Sequence, residues 1–344
     1  MRSLMNKMQA FTTMLNSCRY TKFEIMYDNI VLKWIQEENP EVCFIEQVPS
    51  CLSGVCWHKD ENSEYCTGML GVFHVYVNRE VVKLHKGSLC KFWKGNNCDT
   101  LTLEEVKEAL LSIEARLGLL IENAIVGRID FSTNLEMNNP PSVYFSLLGT
   151  CPRKKRLEQE NGVYFRNKVS DFLFYGKVEE YRDKGYVLPE KYWGKNLLRI
   201  ELRFEKRIAA QLKMKEIHAN DLYDPRFFLR LLDHWYSSYK SVIKVYKGGD
   251  LVGKTTKSLI ETLASIGVLG LGLDHVLKNI DRNYKSGKIS KVEASRQRGR
   301  VKKLVEKNRD FLNSNNELIN ELDSKVDEVV AYYRKSLDNE KLKI

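Results

Sequence analysis

The sequence predicts an α+β fold, in which an antiparallel sheet packed with helices is followed by an all-α C-terminal domain. From residue 55 to residue 204, short runs of β-branched and aromatic residues alternate with polar ones, which is typical of strands. From residue 205 onward the apolar residues recur at helical intervals instead. We therefore expect a leader over residues 1–20, a sheet domain over 21–247 and a basic helical domain over 255–344.

The first part of the sheet domain contains one ambiguous segment and a meander. Residues 23–35 are apolar enough for a strand or for a buried helix, and periodicity does not separate the two. A meander or hairpin set is predicted over Gly71–Val77, Val81–His85 and Gly87–Trp93. Thr102 and Glu105 have the spacing of a capping box, so a helix is expected to begin here and to end at Gly118.

The rest of the chain is predicted in the same way, and we find no internal repeat. Further strands are predicted over Ala124–Ser132, Gly162–Phe165, Phe172–Glu180 and Asn196–Phe204. Helices are predicted over 142–148, 205–214, 225–245, 258–266, 274–284, 290–308 and a last apolar stripe from Ile319 to Leu337. Between the domains, Gly248–Thr255 matches the phosphate-loop pattern, but it lacks the preceding strand that nucleotide binding requires, so we interpret it as a hinge.

The charge of the chain is uneven. Its formal net charge is +10, and the segment from Tyr284 to Arg309 holds ten Lys or Arg residues against Glu293 and Glu306. Such a block predicts a polyanionic partner, with nucleic acid before a membrane surface. Candidate DNA-binding residues are Arg298, Arg300, Lys302 and Lys303 in this block, and Lys154 and Lys155 in the basic loop 151–156, which is alternatively a solvated turn.

Three predicted strands carry charged residues on one face. Arg128 and Asp130 alternate with Ile129 and Phe131, and Arg199, Glu201 and Arg203 alternate with four apolar residues. Tyr175 and Lys177 are opposed by Phe172 and Phe174, with Glu179 and Glu180 just beyond. If these strands pair in one sheet, their apolar faces pack under helices and their polar faces form one patch. The alternative is a solvated sheet face stabilised by cross-strand charge pairs.

This patch has the residue types for attack on a phosphodiester. Asp130 and Glu201, with Glu180 or Glu179, are hard oxygen ligands suited to Mg²⁺ or Mn²⁺. Tyr175 is the candidate nucleophile. Lys177 would lower the pKa of Tyr175 or neutralise charge that develops during attack. Tyr181 either packs or serves as a second nucleophile.

The same residues resemble those of the rolling-circle replication initiators of filamentous phages and related plasmids, the II/X family. Arg128-Ile-Asp130 is similar to that family's Arg-Ile-Asp strand, and Leu198-Arg-Ile-Glu-Leu-Arg203 to its Arg-x-Glu-x-Arg strand. Tyr175-Gly-Lys-Val-Glu-Glu180 is similar to its Tyr-x-Lys-x-x-Glu signature, whose spacing favours Glu180 over Glu179. The two-histidine metal motif of the wider set of rolling-circle nucleases is absent, since Tyr76 stands where a second histidine would follow His74.

The resemblance covers roughly residues 70–245 and implies a metal-dependent, site-specific DNA endonuclease and strand transferase. It would nick one strand of origin DNA, single-stranded or supercoiled, through a 5′-phosphotyrosine link, with Arg128, Arg199 and Arg203 facing phosphates. Two alternatives stay open: a non-catalytic DNA-binding regulator of replication, and a relaxase or transposase with the same chemistry. Host helicase and polymerase are possible partners. No stretch approaches the ~20 apolar residues that span a bilayer, so we expect a cytoplasmic protein in a bacterial host cell.

Overall fold

A ten-stranded antiparallel sheet forms the centre of the protein in the computed structural model, which describes residues 24–60, 63–244, 255–307 and 317–341. The predicted leader over residues 1–20 and the glycines of the predicted hinge, from 248 to 253, lie outside these residues. Within the described ranges, no helix has both the length and the apolar character needed to cross a membrane.

The element bounds are as follows. The strands are β1 (Glu24–Ile35), β2 (Ser53–Lys59), β3 (Glu64–Leu70), β4 (Phe73–Asn78), β5 (Val81–Ser88), β6 (Ile125–Met137), β7 (Lys155–Gln159), β8 (Gly162–Arg166), β9 (Ser170–Gly176) and β10 (Asn196–Phe204). The helices are α1 (Phe44–Gln47), α2 (Leu89–Lys94), α3 (Leu103–Leu117), α4 (Ser142–Phe145), α5 (Lys177–Asp183), α6 (Ile208–Gln211), α7 (Pro225–Ser241), α8 (Thr256–Leu271), α9 (Leu273–Lys285), α10 (Lys291–Lys307) and α11 (Glu317–Lys341).

The sheet is built from two topological repeats. Its strand order is β2-β3-β4-β5-β1-β6-β10-β9-β8-β7. If β6 to β10 are taken as the counterparts of β1 to β5, the order read from the β7 edge is the same as the order read from the β2 edge. Each repeat begins with a long strand and a short helix, continues with four more strands, and ends with a long helix, which is α3 in the first repeat and α7 in the second. The sequence shows no repeat because this topology requires only the same pattern of apolar and polar positions in each half. The two long strands, β1 and β6, pair at the centre.

One face of the sheet packs against α3, α7 and α11 around the main apolar core. Ile113 of α3, Trp235 of α7 and Val326 of α11 are all fully buried in this core. The last helix therefore contributes to the core of the sheet domain, although it lies within the predicted C-terminal range of 255–344. In contrast, α8, α9 and α10 pack against one another, and the Ser265 hydroxyl donates to the backbone oxygen of Leu304 at 3.1 Å.

Several elements differ from the sequence prediction. Residues 24–35 form a strand, which settles the ambiguity between strand and helix. The segment after Ser88 is a helix rather than a strand, because the Ser88 side chain accepts a hydrogen bond from the Lys91 backbone N–H and caps it. The predicted strand 172–180 ends at Gly176 and continues as α5. The predicted helix 205–214 shrinks to α6, because the backbone around Arg207 adopts a left-handed conformation (φ 54°).

Candidate active site

The charged face of the sheet is buried rather than solvated. Asp130 on β6, Arg199 and Glu201 on β10, and Lys177 at the start of α5 have no exposed surface. This excludes a solvated sheet face at these positions. Buried charges are costly unless each one is paired and hydrogen-bonded, so the arrangement requires a connected network of partners.

The cover over this face consists of α5 and the loop from residue 95 to residue 99. Tyr181 of α5 packs with Cys98, Tyr192 and Leu197 in a small apolar cluster that is separate from the main core. Leu197 lies on the same sheet face as Arg199, two residues along β10. The cover therefore has its own apolar contacts, which hold α5 above the charged residues.

Asn97 connects this cover to the sheet. Its side-chain oxygen accepts hydrogen bonds from the Tyr181 hydroxyl at 2.7 Å and from Lys177 Nζ at 3.2 Å. Its side-chain nitrogen donates to Asp28 at 3.2 Å, and its backbone oxygen accepts from Arg199 Nη1 at 2.8 Å. Tyr181 is thus a structural residue in this arrangement. The sequence prediction missed Asn97 because it lies in a turn, and Asp28 because it lies in the segment whose type was ambiguous.

Tyr175 lies at the centre of the network. Its hydroxyl donates a 2.7 Å hydrogen bond to Glu201 Oε2, and the residue is 5% exposed. Burial raises the pKa of Tyr175 well above its ordinary value, and the nearby charge of Arg199 opposes that effect only in part. The hydroxyl is therefore protonated at rest, and Glu201 is the group positioned to take its proton.

Arginines hold Glu201 and Asp130, two of the buried carboxylates of the sheet. Arg203 Nε donates to Glu201 Oε1 at 2.5 Å and lies 3.7 Å from Asp130 Oδ2. Burial acts to raise the pKa of Glu201, but the charges of Arg203 and Arg199 outweigh it, so that pKa lies below its usual value. Asp130 accepts two hydrogen bonds from Arg128, at 2.9 and 3.0 Å. Burial, followed by the charge of Glu201, nevertheless raises the pKa of Asp130 to about 7.

Lys177 was predicted to lower the pKa of Tyr175 or to neutralise developing charge. At Tyr175 burial outweighs the nearby positive charge, so the pKa of that hydroxyl lies well above its ordinary value. The Lys177 ammonium lies 6.0 Å from the centre of the Tyr175 ring and donates to Glu180 Oε2 at 2.7 Å. Because the strand ends at Gly176, this proximity comes from the first turn of α5 and not from strand alternation. Burial, then the charge of Arg199, lowers the pKa of Lys177. Glu180 rather than Glu179 contacts Lys177, in line with the spacing of the sequence signature.

The three carboxylates predicted to hold Mg²⁺ or Mn²⁺ do not form a metal site as they are arranged. Each one is bound to cations of the protein: Asp130 to Arg128, Glu201 to Arg203, and Glu180 to Lys177 and Lys184. No group of three or more His, Cys, Asp or Glu side chains suited to a metal ion occurs in the part of the chain that the structure describes. The side chains present therefore do not fit a divalent cation without rearrangement.

A cleft of about 380 Å³ opens beside Tyr175. Asp28 and Tyr175 line it together with cationic side chains, which are Lys86, Lys91, Lys184 and Arg203. Arg203 thus lines the cleft and also donates a hydrogen bond to the buried Glu201. The lysines of this cleft were not predicted, because they come from β5, α2 and the residue after α5, which only the fold brings together. Such a cleft has the charge to accept a phosphodiester.

The remaining predicted DNA-binding residues lie elsewhere. Arg128 lines a second cleft, whereas Arg199 is fully buried and contacts Asp28. Lys154 donates to the Ser170 hydroxyl at 2.6 Å, and Lys155 begins β7 at the edge of the sheet, so neither lines the Tyr175 cleft. On α10, Arg300, Lys302 and Lys303 are exposed and Arg298 pairs with Asp281.

Fold and site together define an α+β protein with a buried tyrosine–carboxylate pair beside a basic cleft. Residues 70–236 match the Phage_CRI family, described as the N-terminal region of a phage replication-associated protein. This match confirms the resemblance to phage rolling-circle replication initiators and supports a role in the initiation of DNA replication. Among solved structures, Methanococcus jannaschii TBP is similar at 13% identity, with 64% of this chain and 99% of that chain covered and a TM-score of 0.30. No curated protein matches the chain.

Proposed function

We propose that this protein initiates replication by nicking one DNA strand at an origin through Tyr175, and that it reseals the strand after rolling-circle synthesis. The observation that supports this is the 2.7 Å hydrogen bond from the Tyr175 hydroxyl to Glu201 beside a cleft lined by cations. Other tyrosines of this protein also donate to carboxylates, as Tyr236 does to Asp327. The proposal therefore depends on two features together, the bond from Tyr175 to Glu201 and the basic cleft beside it.

The proposed step has a complete balance of atoms. Tyr175 Oη attacks phosphorus while its proton passes to Glu201, and the bond from phosphorus to the 3′ oxygen breaks. The leaving 3′ oxygen takes up a proton from water, so the products are a 5′-phosphotyrosine and a 3′-hydroxyl. Resealing is the reverse reaction, in which the 3′-hydroxyl attacks the phosphotyrosine. Arg203 lies between cleft and carboxylates, where it would neutralise charge on the phosphate oxygens.

We propose separately that nicking requires Mg²⁺ or Mn²⁺. We also propose that the exposed cations of α10 add to the affinity for origin DNA through phosphate contacts. Contacts with host helicase and polymerase, and a cytoplasmic location, remain predictions from the family resemblance. The basic cleft alone would equally suit a DNA-binding regulator without catalysis, and the nicking assay below distinguishes the two.

The test uses a supercoiled plasmid that carries the origin, with Mg²⁺ or Mn²⁺ present. The unaltered protein should produce open circles and a covalent protein–DNA adduct, and Tyr175→Phe should produce neither. Tyr236→Phe is the matched control, because the Tyr236 hydroxyl also donates to a carboxylate, Asp327, at 2.8 Å, but on the helices behind the sheet. Nicking by Tyr175→Phe at the normal rate would refute the nucleophile. DNA binding without nicking under every metal condition would favour the regulator.

A further inference from the structure

Aromatic side chains form a column on the half of the sheet that α5 does not cover. His58 of β2 stacks on Tyr65 of β3, with ring centres 4.7 Å apart and planes inclined by 16°. Tyr65 in turn contacts Tyr76 of β4 at 5.1 Å. These residues alternate along their strands with buried ones such as Cys66 and Val77, so the column lies on the face opposite the main core. His58 is exposed, and the two tyrosines are half-buried.

Positive charge continues this column toward the centre of the sheet. Tyr76 pairs in register with Lys83 of β5, and His74 with His85, whose rings lie 6.1 Å apart. Lys83 and Lys86 are both exposed. Among the residues described, no carboxylate lies within ion-pair distance of either lysine, so both charges are available to an anion.

The column also connects to the Tyr175 cleft. A second cleft, of about 280 Å³, is lined by Lys83, His85 and Arg128. Asn29 and Lys86 line both clefts. A continuous surface therefore runs from the aromatic column across β5 and β1 to the candidate nucleophile.

We propose that this surface, formed by His58, Tyr65, Tyr76, His74, Lys83, His85 and Lys86 and called the open platform below, binds single-stranded DNA and leads it into the Tyr175 cleft. Unpaired bases stack on aromatic rings and their phosphates contact the lysines, as on other nucleic-acid-binding sheets. A duplex offers no free base faces to such a column. Only the last part of the proposal, delivery to Tyr175, rests on the proposed function.

The experiment measures binding of a fluorescent single strand of about 16 nucleotides to the Tyr175→Phe protein, in which nicking cannot contribute. Adding Tyr76→Leu should raise the Kd for this strand roughly 5- to 100-fold, the effect expected for loss of one stacked base. Tyr76→Phe should bind as before, because it keeps the ring. A blunt duplex of the same sequence should bind the Tyr76→Leu protein unchanged.

Matched controls separate the open platform from general effects. Trp57→Leu removes an exposed aromatic ring from the opposite face of β2 and should leave binding unchanged. Lys83→Gln should reduce the slope of log affinity against log salt by about 0.7, whereas Lys107→Gln, on α3 behind the sheet, should not. The proposal is overturned if Tyr76→Leu binds the strand normally in a protein with an unchanged melting temperature, because the column would then serve only cross-strand packing. An equal loss with Trp57→Leu would overturn it as well. Either result leaves the role of Tyr175 intact, since that role is tested by nicking alone.

Discussion

Replacing Glu201 by Gln tests the proposed chemistry most directly. In the unaltered protein the Tyr175 hydroxyl lies 2.7 Å from Glu201 Oε2. Glutamine preserves the size of the side chain and can still accept a hydrogen bond from that hydroxyl. The substitution removes the ability to take a proton. Because burial keeps the pKa of Tyr175 well above its ordinary value, the hydroxyl cannot lose its proton to water instead. Loss of a positioned general base costs roughly 100- to 10,000-fold in rate, which is about 3 to 5 kcal/mol in activation free energy.

The same substitution has a cost in stability. Glu201 pairs with Arg203 at 2.5 Å and with Arg199 at 3.4 Å. Breaking a buried pair typically costs about 3 to 5 kcal/mol. We expect the lower value, about 3 kcal/mol, because Arg199 keeps Asp28 and Arg203 keeps Asp130 nearby. The free energy of unfolding, measured in urea, checks this number.

Activity is measured as the rate of nicking of the supercoiled origin plasmid, at a temperature where unfolding data show the variant to be folded. Glu136→Gln is the control, because Glu136 is exposed, pairs with Lys195 at 2.8 Å, and should affect neither rate nor stability appreciably. A normal rate in the Glu201→Gln protein would refute Glu201 as the proton acceptor. A rate restored by raising the Mg²⁺ or Mn²⁺ concentration would also refute it, and would indicate a metal ligand instead.

Three further predictions follow from the network and the helical region. Asn97→Ala should reduce the free energy of unfolding by about 2 kcal/mol, since buried partners are left without hydrogen bonds, and urea unfolding measures this. Asp130 has a pKa of about 7 in the folded protein, above its unfolded value. Its contribution to stability is therefore fully present below the unfolded pKa and declines as the pH rises through 7, by at most about 1.4 kcal/mol per pH unit. Asp130→Asn should flatten that decline in unfolding curves recorded across this range, and an unchanged curve would show that the carboxyl is ionised throughout. Replacing both Lys302 and Lys303 by Gln should weaken origin binding and reduce the slope of log affinity against log salt by about 1.8. Cleavage of a single-stranded oligonucleotide should stay the same. Unaltered origin affinity would show that α10 is not part of the DNA-binding surface.

The predicted strands were most reliable where alternation was long and uniform. Asn196–Phe204 is a strand with the predicted bounds, and the capping box at Thr102 begins a helix that ends before Gly118. Alternation failed at Gly176, because the seven residues of α5 are too short for a helical period to be distinguished from a strand period. The helix after Ser88 was missed for the same reason, and there the N-cap was the signal available in the sequence.

By itself, the sequence determined which residues share a sheet face, the order of the three charged strands, and the family they resemble. Alternation fixes the faces within each strand, because successive side chains of a strand point to opposite faces. Only the tertiary structure decided what covers each face. The helix α5 and the loop at Asn97 bury the charges around Tyr175, whereas the same face over β2 to β5 stays accessible at His58 and Lys83. The reason is that burial depends on contacts between distant segments, and 80 residues separate Lys177 from Asn97.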